Sequence, residues 1–285
     1  MTAHSAGCQG AFRLLRDMGR EATLVPGWFV VVADGREMRS LVDGVDHVYV
    51  PMADASAAFA VLAEQLELPV LWPFMSFGVF SSGGVSVGSI KLEIIESNST
   101  APWSIASGQP RIQGIAFRPA SRVDDSYLAE VDARSIARTA PSLFERDGKA
   151  AWTNVYFVDL ISETAGAFVC DYYLPESRDL ERRRRVLEEC AGGRLGVLDA
   201  VELVISTRDT GAARRRWQRL FDPLKPAESL TWRPSVGPAV TLAEGDGERV
   251  DHLALAVRSV DTARQLWSEV AQLRLGRFPL RFVAG

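Results

Sequence analysis

The segment Val45–Leu68, VDHVYVPMADASAAFAVLAEQLEL, holds the pattern that decides the fold. Its first six residues are mostly apolar and rich in β-branched side chains, which predicts a strand. Asp54 then stands where its carboxylate can accept hydrogen bonds from the free amide groups of a helix start. The buried face of that helix is predicted to carry Phe59, Leu62, Ala63 and Leu66, which recur at helical spacing. A strand followed by an amphipathic helix therefore opens the first structural unit.

The sequence after this helix predicts strands. Residues 70–79 read as one strand, and residues 86–95 supply one or two more. The pair Gly83-Gly84 predicts a turn between them, because glycine adopts turn conformations at no steric cost. One helix followed by several antiparallel strands is a βαβββ module, placed here at residues 43–98.

The opening pattern recurs along the chain, which indicates tandem modules. Asp46-His47 and Asp251-His252 each open an apolar strand that leads into a helix, and further copies begin near Ile112 and at Asp199. We place module two at 111–175 and module three at 197–258. Residues 249–257 are assigned to the last strand of module three, in preference to the first strand of an incomplete module four.

The predicted domains follow from these modules. Residues 1–42 form an unassigned N-terminal extension, and 43–175 hold modules one and two as a pair. Residues 176–196 are a charged helical linker whose arginine run, 182–185, is predicted to be a solvated helix face. Residues 197–285 hold module three with a C-terminal helix and strand. Met38 is an alternative start, so the membership of residues 1–37 in the native protein stays open.

Composition favours a globular protein of a reducing compartment. Of 285 residues, 47% are hydrophobic and 24% are charged, and the net charge of −4 does not suggest nucleic acid or an anionic membrane as partner. Nearly all cations are arginine, which we attribute to a GC-rich, bacterial-type genome. Three cysteines without ligand-like spacing, no signal-peptide pattern and no long apolar run favour a cytoplasmic location.

Two stretches of module one carry a family resemblance. Val45–Leu68 resembles the opening strand and helix of the vicinal oxygen chelate superfamily, which includes glyoxalase, bleomycin-resistance and dioxygenase proteins. VGSIKLEIIE, Val87–Glu96, resembles its closing strand. The resemblance implies an α+β fold of tandem βαβββ modules that form curved, mostly antiparallel half-barrel sheets. It also implies metal-ligand positions at His47 and Glu93.

Strand alternation agrees with that implication. Val45, His47 and Tyr49 should share one face, and Glu93 should share a face with Lys91, because successive strand side chains point to opposite sides. The apolar faces would pack on the helix, so that His47 and Glu93 point into the hollow of the sheet. An imidazole and a carboxylate there could hold Fe, Mn, Zn or Ni, with open positions for two substrate oxygens.

Further ligands come from aligning the modules. Matching 166–176 to 88–96 places Asp171 opposite Glu93, whereas matching Gly247 to Gly88 places His252 there. We prefer the triad of His47, Glu93 and Asp171, since neighbouring modules pair in the family. In the same frames Gly114 and Ala200 replace the histidine. Cys170 is predicted to face the helix.

Substrate contacts are predicted at Tyr49, Arg118 and Glu202, and the catalytic residues are unassigned. An aromatic cluster reads as core or as a hydrophobic substrate wall: Trp72, Phe74, Phe77 and Phe80. Three functions remain open: a metal-dependent isomerase, lyase or dioxygenase acting on a small oxygenated metabolite, with or without an aromatic ring; a metal-free protein that binds or sequesters a small molecule; and a scaffold for a protein partner. We favour the enzyme. The odd number of modules allows a homodimer.

Overall fold

A computed structural model describes residues 24–25, 28–29, 39–97, 110–161, 166–174, 180–227, 230–270, 275–276 and 278–285. The chain divides into two compact units, Met1–Ser40 and Leu41–Gly285. In the first unit, strand β1 (Leu24–Val25) pairs antiparallel with β2 (Trp28–Phe29). All elements below belong to the second unit.

Module one has the predicted order of strand, helix and three strands. Its elements are β3 (Val42–Pro51), α1 (Ala55–Ala60) with a π-helical continuation (Val61–Gln65), β4 (Val70–Ser76), β5 (Phe80–Ser86) and β6 (Lys91–Ser97). Asp54 caps the helix as predicted, since its Oδ1 accepts from the amide of Ala57 at 3.2 Å. The predicted face of the helix is buried at Phe59, Leu62 and Leu66.

Module two repeats this order. Its elements are β7 (Gly114–Pro119), α2 (Asp125–Ala133), β8 (Ser142–Arg146), β9 (Lys149–Phe157) and β10 (Gly166–Tyr172). The sequence analysis missed β8. A two-residue turn at Asp147-Gly148 joins it to β9, and the φ angles there are 53° and 70°. Asp-Gly is a strong signal for a hairpin turn of this kind, so β8 could have been found.

The two modules form one eight-stranded sheet in the order β4-β5-β6-β3-β7-β10-β9-β8. In each module the closing strand is parallel to the opening strand, β6 to β3 and β10 to β7. The opening strands β3 and β7 meet antiparallel at the centre. The sheet curls into a half-barrel, and the predicted α+β fold of βαβββ modules is confirmed.

The remaining residues form a smaller sheet. Helix α3 (Leu180–Glu189) precedes it. Five strands and two helices follow in chain order: β11 (Val197–Thr207), α4 (Thr210–Phe221), β12 (Thr231–Trp232), β13 (Ala239–Glu244), β14 (Arg249–Val257), α5 (Val260–Val270) and β15 (Leu280–Ala284). The strand order is β12-β13-β11-β14-β15. Among the described residues, no helix is long and apolar enough to cross a membrane.

The assignment of residues 249–257 to the end of module three is wrong. Strand β13 is parallel to β11, as a closing strand must be, whereas β14 is antiparallel to β11. Helix α5 and the parallel strand β15 follow β14. This strand therefore opens a partial fourth module, as β7 opens module two.

The prediction of a turn at Gly83-Gly84 is also wrong, because both residues lie within β5. A Cβ atom on Gly83 would lie 2.6 Å from the ring of Phe59, and one on Gly84 would lie 2.2 Å from the ring of Trp72. These glycines make room for aromatic rings on opposite faces of the strand. The turn lies earlier, at Gly78, where φ is +89°.

Large aromatic side chains join module three to the main sheet. Phe117 of β7 lies 6.0 Å from Trp217 and 5.9 Å from Phe221 of α4, measured between ring centroids. Trp232 stacks on Phe221 at 5.5 Å. These rings are buried, so the second sheet and the half-barrel share one hydrophobic core.

A close backbone approach yields the first testable prediction. A Cβ atom on Gly44 would lie 1.7 Å from the carbonyl oxygen of Val236. Because backbone cannot swing aside as a side chain can, we expect Gly44→Ala to lower the free energy of unfolding by about 3 kcal/mol. Urea unfolding followed by circular dichroism measures the change.

Gly166→Ala is the matched control, since its Cβ would find its nearest neighbour at 3.7 Å. It should change stability by less than about 0.5 kcal/mol. Equal stability of Gly44→Ala and the wild type would contradict the close contact between the first and third modules.

Candidate functional site

The half-barrel encloses a cavity of about 380 Å³ on the concave face of the sheet. Modules one and two both line it, and helix α3 contributes Arg182, Arg183 and Val186. Nine lining side chains are aromatic: Tyr49, Trp72, Phe77, Phe80, Phe144, Trp152, Tyr156, Phe168 and Tyr172. Part of the predicted aromatic cluster thus forms a cavity wall.

Many of these rings contact one another. Tyr156 stacks on Phe168 at 4.8 Å between centroids, and Phe144 stacks on Trp152 at 5.3 Å. Pairs with this offset geometry are favourable beyond the area that they bury. The wall is therefore an organised set of aromatic faces.

A β-bulge in β3 sets the orientation of the polar residues. Val45 pairs with Phe117 and His47 pairs with Ala116, so Asp46 is an extra residue opposite β7. The bulge changes the predicted alternation. Val45 turns into the hydrophobic core, and the carboxylate of Asp46 comes within hydrogen-bond distance of the His47 ring.

His47 and Glu93 lie side by side in the cavity. The Nε2 atom of His47 is 3.6 Å from Oε2 of Glu93, and its Nδ1 atom is 2.9 Å from Oδ2 of Asp46. An ionised carboxylate can only accept, so Nδ1 carries the proton when the imidazole is neutral. The lone pair of Nε2 then faces Glu93 and the cavity. The ring also makes an edge contact with Phe168 at 5.7 Å.

Asp46 is the centre of a buried ionic cluster that the sequence analysis did not find. Lys91 Nζ donates to its Oδ2 at 2.6 Å. Arg183 Nη1 lies 3.4 Å from its Oδ1 and donates to its backbone oxygen at 3.2 Å. The prediction of a solvated face at 182–185 is wrong at Arg183, which is 3% exposed because its guanidinium turns inward to this carboxylate.

The cluster shifts the protonation of its members. Burial alone would raise the pKa of Asp46, but Lys91, His47 and Arg183 together hold it well below its usual range. Burial lowers the pKa of Lys91, and the charge of Asp46 opposes that shift in part. Lys91 also lies 4.1 Å above the ring of Tyr172. One carboxylate is thus shared by two cations.

The other predicted ligands lie away from this cavity. Asp171 is buried on the helix side of β10, where its Oδ1 accepts from Arg122 at 2.9 Å and its Oδ2 accepts from the amide of Val123 at 3.0 Å. His252 lies on β14 in the second sheet, and its Nδ1 is 2.8 Å from Asp251. The structure therefore brings neither Asp171 nor His252 to His47 and Glu93.

Of the three predicted substrate contacts, one lies in the cavity and two lie outside it. Tyr49 lines the cavity. Its ring packs directly on Gly114, since a Cβ atom on that glycine would lie 1.7 Å from Cε1 of the ring. Arg118 points towards Asp43, with 3.9 Å between Nε and Oδ2, and it does not line the cavity. Glu202 belongs to the second sheet, where it accepts from Thr241 at 2.6 Å.

Cys170 faces the cavity, so its predicted helix-side orientation is wrong. Asp171 takes the opposite face because its carboxylate binds the backbone ahead of α2. Burial raises the pKa of the Cys170 thiol above its ordinary value. A protonated thiol is a poor nucleophile and a poor metal ligand at neutral pH.

The donor set does not fit a three-ligand metal centre. Within the described residues, no three His, Cys, Asp or Glu side chains lie close enough together to hold a metal ion. His47 and Glu93 supply two donors, while Asp46 is bound by Lys91 and Arg183. A buried ammonium group beside the pair disfavours a further cation.

Lys91 carried a sequence signal for burial that the sequence analysis did not use. It is one of three lysines in an arginine-rich chain, and it stands in an apolar strand between Ile90 and Leu92. A buried charge in such a strand requires a partner. No comparable signal existed for Arg183, since it lies within a run of four arginines.

Comparisons with known proteins support the fold. No protein-family model matches the sequence. No curated protein matches it either. A hypothetical protein from Staphylococcus aureus has a similar structure, with a TM-score of 0.55 at 8% identity, covering 75% of this chain and 91% of that one.

Homoprotocatechuate 2,3-dioxygenase from Brevibacterium fuscum is also similar. A mutant of it gives a TM-score of 0.51 at 13% identity, covering 84% of this chain and 63% of the dioxygenase chain. Its anaerobic complex with 3,4-dihydroxyphenylacetate gives 0.51 at 11% identity, covering 84% and 71%. The match to the mutant enzyme therefore covers less than two thirds of the length of that enzyme. These likenesses establish a dioxygenase-like fold.

The ionic cluster yields the second prediction. Lys91→Met removes the closest partner of Asp46, so we expect the free energy of unfolding to fall by about 3 kcal/mol. Adding Asp46→Asn to Lys91→Met should cost less than the sum of the two single changes, because no unpaired charge then remains. Urea unfolding of the four proteins measures the coupling.

The pH dependence of these proteins is the independent check. Because folding lowers the pKa of Asp46, its carboxylate stabilises the fold above the unfolded-state pKa of about 3.9. That contribution declines as the pH falls through and below this value. Asp46→Asn should therefore lose less stability than the wild type between about pH 5 and pH 3. Parallel curves would contradict a paired, ionised Asp46.

Proposed function

We propose that this protein binds a small molecule with an aromatic ring in the cavity between modules one and two, without a bound metal ion. The observation that carries the proposal is the wall itself, in which nine aromatic side chains surround about 380 Å³. Sites for small ligands are typically enclosed, mostly apolar and provided with few polar groups. This cavity has that composition.

The polar end of the cavity would orient the ligand. With Nδ1 protonated towards Asp46, the Nε2 atom of His47 can accept a hydrogen bond from a ligand hydroxyl. Glu93, whose side chain is 13% exposed, offers a second acceptor beside it. A phenol or catechol would place its ring among the aromatic faces and its hydroxyl groups at this pair.

A second candidate function is metal-dependent chemistry of the dioxygenase type. The 3.6 Å separation of His47 and Glu93 and the similarity to homoprotocatechuate 2,3-dioxygenase favour it. In that case these two residues would be the protein ligands from module one, and a third donor would be needed from elsewhere.

The third prediction tests binding with N-phenyl-1-naphthylamine, an uncharged aromatic dye whose fluorescence increases in apolar surroundings. The wild type should bind it with saturation at one site per chain. Val186→Trp, which fills the cavity from helix α3, should weaken binding about tenfold or more, because the added ring takes the space of the dye.

Val201→Trp is the control, since Val201 lies on β11, is 38% exposed and does not line the cavity. It should bind the dye as the wild type does. Absence of saturable binding, or equal weakening by both substitutions, would overturn the proposal.

The fourth prediction separates the two functions. Protein purified anaerobically should contain far less than one metal ion per chain, and added Fe(II), Mn(II), Zn(II) or Ni(II) should bind the wild type no more tightly than His47→Ala. Binding of 3,4-dihydroxyphenylacetate, measured by calorimetry, should be the same with and without EDTA. One tightly bound ion that His47→Ala and Glu93→Ala both abolish would instead establish the metal-dependent function.

A further inference from the structure

We infer that the ligand of this cavity carries an anionic group, such as a carboxylate, sulfonate or phosphate, that binds the guanidinium of Arg183. This inference rests on the proposed function, because it assigns the chemistry of one end of the same cavity. The anion would meet the Nε–Nη2 edge of the side chain. No part of the predicted metal or substrate site includes this residue.

Hydrogen bonds hold both the backbone and the guanidinium group of Arg183 in place. Its backbone oxygen accepts from the Ser86 hydroxyl at 3.2 Å, which ties α3 to β5. Its Nη1 donates to the backbone oxygen of Asp46 at 3.2 Å, which ties the guanidinium to β3. The side chain is 4% exposed, and it lines the cavity. The position of the guanidinium is therefore fixed before any ligand binds.

Two of its nitrogens lack partners. Nε and Nη2 of Arg183 are buried and have no hydrogen-bond partner within the described part of the chain. A buried donor without a partner is destabilising, and a charged one more so, so proteins rarely leave one without a reason. Nε and Nη2 form one edge of the planar group, and two parallel N–H bonds from that edge match the two oxygens of a carboxylate.

The charges nearby also favour an anion. Asp46 is the one described carboxylate within ion-pair distance of Lys91 and Arg183, and it lies closer to Lys91, at 2.6 Å against 3.4 Å. Two buried cations thus share one counter-charge. A ligand anion on the unpartnered Nε–Nη2 edge of Arg183 would supply the second counter-charge and the missing acceptors together.

The fifth prediction uses two dyes that differ in charge. 1-Anilinonaphthalene-8-sulfonate is N-phenyl-1-naphthylamine with an added sulfonate, so the ratio of their dissociation constants isolates the anion. Arg183→Met should weaken binding of the sulfonate about 10- to 100-fold, the range expected for hydrogen bonds to a charged group. It should weaken binding of the neutral dye far less, so that the ratio of the two dissociation constants changes.

Two further variants keep the test decisive. Arg183→Lys retains a cation for Asp46 but lacks the Nε–Nη2 edge, so it should also lose preference for the sulfonate if Arg183→Met fails to fold. Arg185→Met, on the same helix with a side chain that is 66% exposed, should leave both dissociation constants unchanged. Thermal unfolding of each variant verifies that it is folded.

The outcomes distinguish this inference from the proposed function. Selective loss of the sulfonate dye supports the anion site. If the neutral dye binds but the Arg183 variants change both dyes equally or neither, the anion site is overturned and the aromatic cavity stands. If neither dye binds the wild type, both proposals are overturned.

Discussion

The buried carboxylate of Asp46 is the constraint on which the arrangement of the cavity depends. An ionised carboxylate that leaves water must be paired and hydrogen-bonded, or its desolvation outweighs the rest of the site. Here the partners come from three separate segments: His47 beside it on β3, Lys91 on β6 and Arg183 on α3. One charge therefore fixes the relative positions of two strands and a helix.

This constraint determines what the cavity can do. When the imidazole is neutral, its Nδ1–H donates a hydrogen bond to Asp46, so the Nε2 lone pair is directed towards Glu93 and the ligand space. Because Asp46 also holds Lys91, that ammonium group lies beside the His–Glu pair. The same carboxylate that orients the imidazole thus also holds a positive charge in the wall of the cavity. In the proposed function, His47 and Glu93 supply an acceptor pair for ligand hydroxyl groups.

The sequence predicted those parts of the fold that depend on local patterns. The helix cap at Asp54 and the buried stripe of α1 follow from side chains within one or two turns of each other. The repeat predicted paired modules, and strand alternation predicted that His47 and Glu93 face the same hollow. Two of the four proposed metal ligands were thus found in the cavity.

The remainder depends on contacts that are distant in sequence. The glycines of β5 were predicted to form a turn. Their actual role is to leave room for the rings of Phe59 and Trp72, which are distant in sequence. The bulge at Asp46 and the inward turn of Arg183 arise from one ion cluster joining residues 137 positions apart. The role of β14 depends on whether it runs parallel or antiparallel to β11, and a pattern of apolar residues does not predict strand direction.

The repeated Asp-His pair shows how much the surrounding sheet contributes. Asp251 is the extra residue of a bulge in β14, between the pairs Val204–His252 and Ile205–Val250, as Asp46 is in β3. The hydrogen bond within each pair is nearly the same length, 2.8 Å and 2.9 Å. The side chain of Asp251, however, is 47% exposed, and His252 is its only described ion-pair partner.

The difference lies in the strands that follow. Three strands come after α1 and curl over Asp46 and His47. After α5, by contrast, β15 is the one described strand. Without a curled wall there is no dry hollow, and an exposed aspartate needs no buried cation. The same dipeptide and the same bulge therefore give a surface hydrogen bond in one sheet and the polar end of an aromatic cavity in the other.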